Sequence, residues 1–120
     1  MKSFAATAIA SLILAGCAQV GRSAPEAAMM AKGDYLAVAA CVNDALAASY
    51  PAMVHYAEFA ARRMARISVI FSDSGVAAPL AIFEFREASK GVTRISGDGA
   101  PAWIGEVRSR VGACEGARPE

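Results

Sequence analysis

The clearest structural signal in the chain is the segment Leu80-Ala81-Ile82-Phe83-Glu84-Phe85-Arg86. Its side chains alternate between two classes, which is the period of a β-strand with one buried face. Ala81, Phe83 and Phe85 share one side, while Glu84 and Arg86 lie on the other. We therefore predict a strand that turns its alanine and two phenylalanines toward a core.

Two further strands are predicted around this segment. Residues 67–71 are rich in β-branched and apolar side chains and are followed by a turn signal at 72–75. Residues 92–95 form the return strand after a hairpin loop at 88–91. Parallel strands need a crossover of a dozen or more residues, so these short connections predict a three-stranded antiparallel sheet.

Helices are predicted on both sides of the strands. Asp34 is a suitable N-cap for a helix over residues 35–48, and Pro101 is suited to open a last helix. Each helix has an apolar stripe, comprising Val38, Cys41, Val42, Ala45 and Leu46 in the first and Ile104, Val107, Val111 and Cys114 in the last.

Residues 52–66 are ambiguous. Their helix propensity is high, which favours a second helix, although residues 53–56 are also compatible with a short strand. With a helix there, the element order is α-(α)-β-β-β-α. That order predicts a small α+β domain in two layers, with the helices packed on one face of a three-stranded antiparallel sheet.

Length and composition exclude several classes of protein. The 120 residues are 56% hydrophobic with a formal net charge of +1. A single domain is expected, with no space for a separate cofactor domain. The near-zero charge argues against nucleic acid as a partner, and no cofactor is predicted.

The N-terminus has the pattern of an export signal. Lys2 precedes an uncharged, mostly apolar stretch over residues 4–15, which is shorter than the roughly 20 residues of a membrane-spanning helix. The stretch ends in Leu14-Ala15-Gly16-Cys17, which resembles the lipobox of bacterial lipoproteins. Cleavage by the ordinary signal peptidase near residues 16–18, or an uncleaved helix, is the alternative.

This resemblance covers residues 1–18 and implies how the chain is processed. In that family the cysteine thiol is diacylated, the chain is cut before the cysteine, and the new amino group is acylated. The chain then divides into a signal peptide (1–16), lipidated Cys17 with a tether (17–33), an α+β domain (34–115) and a tail (116–120). Ala18, where an aspartate would signal retention, implies the outer membrane, with the domain facing the periplasm.

The remaining cysteines form an even pair. If Cys17 carries lipid, Cys41 and Cys114 are left, both on core-facing stripes and in an oxidising compartment. We predict a disulfide between them, with two buried free thiols as the alternative. The chain has one histidine, His55, and no Cys-x-x-Cys spacing, so no metal site is predicted.

No motif in the sequence is specific for catalysis. His55 with a serine, Glu84 with Glu87, and the glycine-flanked Asp98 all have ordinary structural explanations. We therefore predict a non-enzymatic protein. The candidate partner-binding residues are Trp103 and a basic cluster on the uncertain helix, formed by Arg62, Arg63 and Arg66.

The sequence thus predicts a lipid-anchored cell-envelope protein whose small periplasmic domain binds or scaffolds another envelope protein. The alternative is a periplasmic inhibitor or immunity protein that acts against a toxin or a lytic enzyme. For that alternative, residues 72–79 are the candidate protruding loop. The oligomeric state stays open.

Overall fold

The computed structural model describes residues 27–118, so the predicted signal peptide, Cys17 and most of the tether lie outside the described residues. These residues form five strands and two α-helices, with four consecutive strands between the helices. They are β1 (Ala27–Lys32), α1 (Tyr35–Ser49), β2 (Val54–Phe59), a 3-10 turn (Ala60–Arg62), β3 (Met64–Asp73), β4 (Val76–Ser89), β5 (Val92–Gly99) and α2 (Pro101–Cys114).

The strands form one antiparallel sheet in the order β1-β5-β4-β3-β2. One end of the sheet, here called the Gly99 end, holds the start of β1 and β2 and the last residue of β5. The opposite end, here called the Lys90 end, holds the β4–β5 turn and the β2–β3 connection. Both helices pack on the same face of the sheet.

The general α+β class agrees with the sequence prediction, but the predicted three-stranded sheet is wrong because the sheet has five strands. One missed strand is β1, in a segment assigned to the tether. Its alanines and methionines carry no β-branched signal, yet they alternate in burial. Met29 and Ala31 are buried against the core, while Met30 is exposed. Pairing with β5 therefore makes this segment a strand.

The other missed strand is β2, and the helix predicted over residues 52–66 is wrong. Val54 pairs with Val69, and Tyr56 pairs with Ile67, so these two side chains share the helix-covered face of the sheet. The helix propensity of the segment is worth only tenths of a kcal/mol per residue, and the tertiary context overrides it.

The core lies between the sheet and the two helices. Ala81, Phe83 and Phe85 are buried, as their alternation predicts, and Val38, Val42 and Leu46 of α1 pack into the same cluster. The Asp34 carboxylate accepts hydrogen bonds from the Leu36 and Ala37 amides, both at 3.1 Å, which caps α1 as expected.

A disulfide joins the two helices. The sulfur atoms of Cys41 and Cys114 are 2.04 Å apart, and the Cα atoms are 5.9 Å apart. The bridge connects the middle of α1 to the last residue of α2, across 73 residues of sequence. This geometry agrees with the predicted pairing and with the predicted side-by-side packing of the first and last helices.

The glycine-rich segment 97–99 completes β5. Gly99 pairs with Ala81 and has φ +145°, a conformation that L side chains rarely adopt. A Cβ atom there would lie 2.5 Å from the Leu80 carbonyl oxygen. Glycine is therefore required where β5 approaches β4 at their last pair of residues.

Within residues 27–118, no helix is long and apolar enough to cross a membrane.

Candidate binding surfaces at the two ends of the sheet

A β-hairpin projects from the Gly99 end. The last residue of β5 pairs with Ala81, and the first residue of β2 pairs with Val69. Beyond these rows β3 and β4 pair only with each other, from Ile70 with Pro79 to Asp73 with Val76. We call residues 70–79 the hairpin arm. The predicted loop over 72–79 is therefore wrong, because most of it is regular strand.

The arm has a tight turn at its tip and an irregularity at its base. Ser74 and Gly75 have φ +52° and +80°, as expected for the two central residues of a type I′ turn. The register shifts between Val69 and Ile70, where Leu80 has no pairing partner. Such bulges bend a strand and raise its twist, so the arm leaves the sheet at a defined place.

One face of the arm is exposed and, apart from Asp73, apolar. Phe71 pairs with Ala78 and Asp73 pairs with Val76, so these four side chains share a face. Phe71 is 50% exposed and Val76 is 68% exposed. By strand alternation this face continues the buried face of β3 beyond the cover of the helices.

The base of the arm is held by the core. The Ile70 amide donates a hydrogen bond to the Met53 carbonyl oxygen at 2.8 Å. Beside it, the rings of Tyr50 and Trp103 meet edge to face, with centroids 4.8 Å apart. Trp103 is partly buried against the core at the Gly99 end of the domain. Only part of its side chain is therefore exposed for contact with a partner.

Shallow recesses adjoin the base of the arm on the sheet face that the helices leave uncovered. One, of about 250 Å³, lies where β4 leaves β5, and a second, of about 190 Å³, lies beside it. Ile82 and Asp98 line both. A wider recess of about 640 Å³ lies along α1 near Cys41 and includes Asp44 and Glu58.

The predicted basic cluster does not form on a helix. Arg62 and Arg63 lie in the β2–β3 connection, whereas Arg66 lies on β3 and donates to Glu84 at 2.8 and 3.2 Å. Arg63 makes an ion pair with Glu87 at 2.8 Å. The three arginines are therefore divided between a turn and the uncovered face of the sheet.

Exposed basic side chains nevertheless collect toward the Lys90 end. Arg86 and Arg94 lie directly opposite each other on neighbouring strands, where like charges repel, and Arg86 also makes an ion pair with Glu84 at 3.6 Å. We call the whole group the basic end; it comprises Lys32, Arg62, Arg63, Arg86, Lys90 and Arg94, all of them exposed. The sequence did not reveal this group because its members are far apart along the chain.

The side chains considered for catalysis are occupied by other contacts or lie apart. Glu84 and Glu87 are both bound by arginines, and His55 is exposed on β2 opposite Ser68. Among the described residues, no group of histidine, cysteine and acidic side chains could hold a metal ion.

Tyr56 is the one side chain of residues 27–118 with a clearly shifted pKa. Partial burial raises the pKa of its hydroxyl well above the usual value, and its hydrogen bond to Glu58, at 2.8 Å, adds to the rise. The negative charge of Glu58 acts in the same direction, because it disfavours a nearby phenolate. Tyr56 therefore stays neutral and anchors the β2 edge.

Comparison with protein-family models, curated proteins and solved structures finds no match to this chain.

Proposed function

We propose that this chain is a non-enzymatic lipoprotein of the bacterial cell envelope, anchored by lipid on Cys17, whose domain binds another envelope protein. The lipobox-like segment Leu14–Cys17 supports the anchor. The outer membrane, with the domain in the periplasm, is the proposed location because Ala18 follows the cysteine. A triacylated cysteine gives stable membrane attachment without a spanning helix, because several acyl chains act together.

The path of the chain supports a direction for the domain. Ala27 pairs with Gly97, so the segment that follows Cys17 enters the sheet at the Gly99 end. The basic end lies at the opposite end of the strands. An anchored domain would therefore present its arginines and lysines away from the attachment point, toward the periplasm.

This separation of attachment point and basic end is the observation that carries the proposal. Complementary charge steers a partner to a surface and fixes its orientation, so the basic end suits a protein with an acidic patch. Arg62 and Lys90, which are exposed in the connections at this end, would make the outermost contacts, with exposed Arg94 on the adjoining part of β5. Arg66, which is bound by Glu84, contributes less.

The anchor is tested with radiolabelled palmitate. Wild-type protein should incorporate the label, whereas Cys17→Ser should incorporate none and should accumulate as uncut precursor. Label retained by the variant would refute lipidation at this cysteine.

The docking surface is tested by photo-crosslinking in intact cells. A crosslinker at position 90 should form a discrete protein adduct that is lost when Arg62→Glu and Arg94→Glu are combined. Arg108→Glu, on the exposed side of α2, is the matched control and should keep the adduct. An adduct equally weakened by the control, or unaffected by the double variant, would contradict docking at the basic end.

The protruding hairpin arm favours one second candidate, an inhibitor or immunity protein that inserts the arm into a cleft of its target. In that case the double charge reversal leaves binding intact, and Phe71→Ser with Val76→Ser abolishes it. The same two sets of variants therefore separate the two functions.

A further inference from the structure

We propose that the hairpin arm rests on the lipid surface of the membrane that holds the Cys17 anchor, as a second and shallow membrane contact. This inference rests on the proposed lipidation of Cys17. It assigns the Gly99 end to the membrane and leaves the basic end free for a protein partner.

The first support is the position of the attachment. Ala27 pairs with Gly97 of β5. Two residues further along β5, Gly99 pairs with Ala81, which is where β4 passes from the arm into the sheet. The attached segment and the arm therefore leave the domain at the same end.

The second support is length. Nine residues lie between Cys17 and Ala27, and the ten steps from one Cα atom to the next span at most about 35 Å when fully extended. The arm extends four residues beyond Val69 before its turn, and Ala27 lies two residues short of the Val69 row, so the turn begins roughly 20 Å beyond Ala27 at the rise of a β-strand. A tether extended to about 60% of that limit thus brings the turn of the arm to the surface in which the lipid is embedded.

The third support is the chemistry of the arm. Phe71 and Val76 expose apolar surface, and Ala77, Ala78 and Pro79 add small apolar groups. Asp73 is the only charged residue among positions 70–79, and residues 67–83 contain neither lysine nor arginine. Contact with lipid would therefore come from apolar burial and not from attraction to anionic headgroups.

The backbone limits how deep this contact can go. In an antiparallel pair, alternate residues turn their N–H and C=O groups away from the partner strand. Next to the turn this applies to the pair Ser72 and Ala77. The pairs on either side of it, Asp73 with Val76 and Phe71 with Ala78, take the hydrogen-bonded positions of the hairpin. Such groups cannot enter hydrocarbon without a large cost, so the arm stays at the level of the headgroups with its polar turn.

The test uses the full lipidated protein in vesicles of phosphatidylethanolamine and phosphatidylcholine. Cys41 and Cys114 are bridged and Cys17 is acylated, so Val76→Cys introduces the only free thiol for an environment-sensitive fluorophore. Lys90→Cys is the matched control at the other end of the sheet. We expect nitroxide-bearing lipids to quench the label at position 76 several-fold more strongly than the label at position 90.

Further variants connect the quenching to the apolar face. Phe71→Ser in the Val76→Cys background should reduce the quenching to the level of position 90, whereas Phe71→Leu should retain it. Phe71 lies outside the core cluster, so both variants should keep the disulfide and the fold.

The outcomes separate the two proposals. Wild-type protein that takes no palmitate and fails to float with vesicles overturns the lipoprotein proposal, and the inference with it. Protein that floats but shows equal quenching at positions 76 and 90 overturns the inference alone. A photo-crosslinker at position 76 that reacts only with a protein in cells also overturns it, in favour of a protein partner for the arm.

Discussion

At the scale of single residues, the disulfide is the contact with the largest expected effect on stability. It ties the middle of α1 to the end of α2 in a domain small enough for its core to be marginal. We expect Cys114→Ala to lower the free energy of unfolding by about 2–5 kcal/mol. Cys41→Ala should cost nearly the same, and the double variant little more, because each removes the same bond. Urea denaturation measures all three.

The pattern of these losses tests more than their size. Single variants that differ widely, with a double variant equal to their sum, would show that the two cysteines act as independent packed side chains. Cys17→Ser serves as the background for every variant, so that no free thiol can exchange with the bridge.

Tyr56 predicts a loss of stability at alkaline pH. Its pKa is raised in the folded state, so the unfolded chain releases the hydroxyl proton first, near the usual value of about 10. Above that pH the unfolded state binds fewer protons than the folded state, and the free energy of unfolding falls as pH rises. The free energy of unfolding of Tyr56→Phe should fall less than that of the wild type between about pH 9 and 11, the range around the usual tyrosine pKa. Equal slopes in both proteins would contradict this role.

Individual residues were predicted well where one physical rule was enough. The alternation of Ala81, Phe83 and Phe85 and the capping by Asp34 are local signals, and the structure agrees with both. The arginine cluster was predicted incorrectly because the spacing of Arg62, Arg63 and Arg66 was interpreted on a helix that does not exist. An error in one element therefore misplaced three candidate side chains.

At the scale of elements, neither edge strand could be assigned from the sequence. β1 has the composition Ala-Ala-Met-Met-Ala-Lys, which favours a helix as much as a strand, and β2 lies in a segment whose helix propensity outweighed the strand alternative over residues 53–56. Each acquires its structure from the strand beside it, β5 in one case and β3 in the other. Non-local pairing of this kind leaves no periodic pattern in a short segment.

The junction of β5 with the base of the arm makes a second prediction at this scale. Gly99→Ala should destabilise the domain, because the new Cβ would meet the Leu80 carbonyl oxygen at 2.5 Å in a backbone conformation that alanine avoids. Gly105→Ala is the control: a Cβ atom at this position of α2 would meet no other part of the protein within 4 Å, and the change should stabilise by up to about 1 kcal/mol. Thermal unfolding of the two variants should shift in opposite directions.

At the scale of the whole molecule, the strand directions give the domain a polarity that no single segment shows. β1 enters the sheet at the Gly99 end, β3 and β4 extend the hairpin arm from that end, and the exposed basic residues lie toward the other end, on turns and on strands. This separation could not be predicted from the sequence, since it depends on β1, whose residues carry no strand signal of their own.

Salt should act differently on the two ends. Screening shortens the reach of charge from about 30 Å at 0.01 M ionic strength to about 3 Å at 1 M, so crosslinking from position 90 should weaken steeply as salt rises. Apolar contact with lipid depends little on ionic strength, and the arm carries a single charge, Asp73. Quenching at position 76 should therefore change little over the same range. If rising salt weakened both the crosslinking at position 90 and the quenching at position 76, charged contacts would hold both ends. That result would contradict the assignment of lipid to one end and protein to the other.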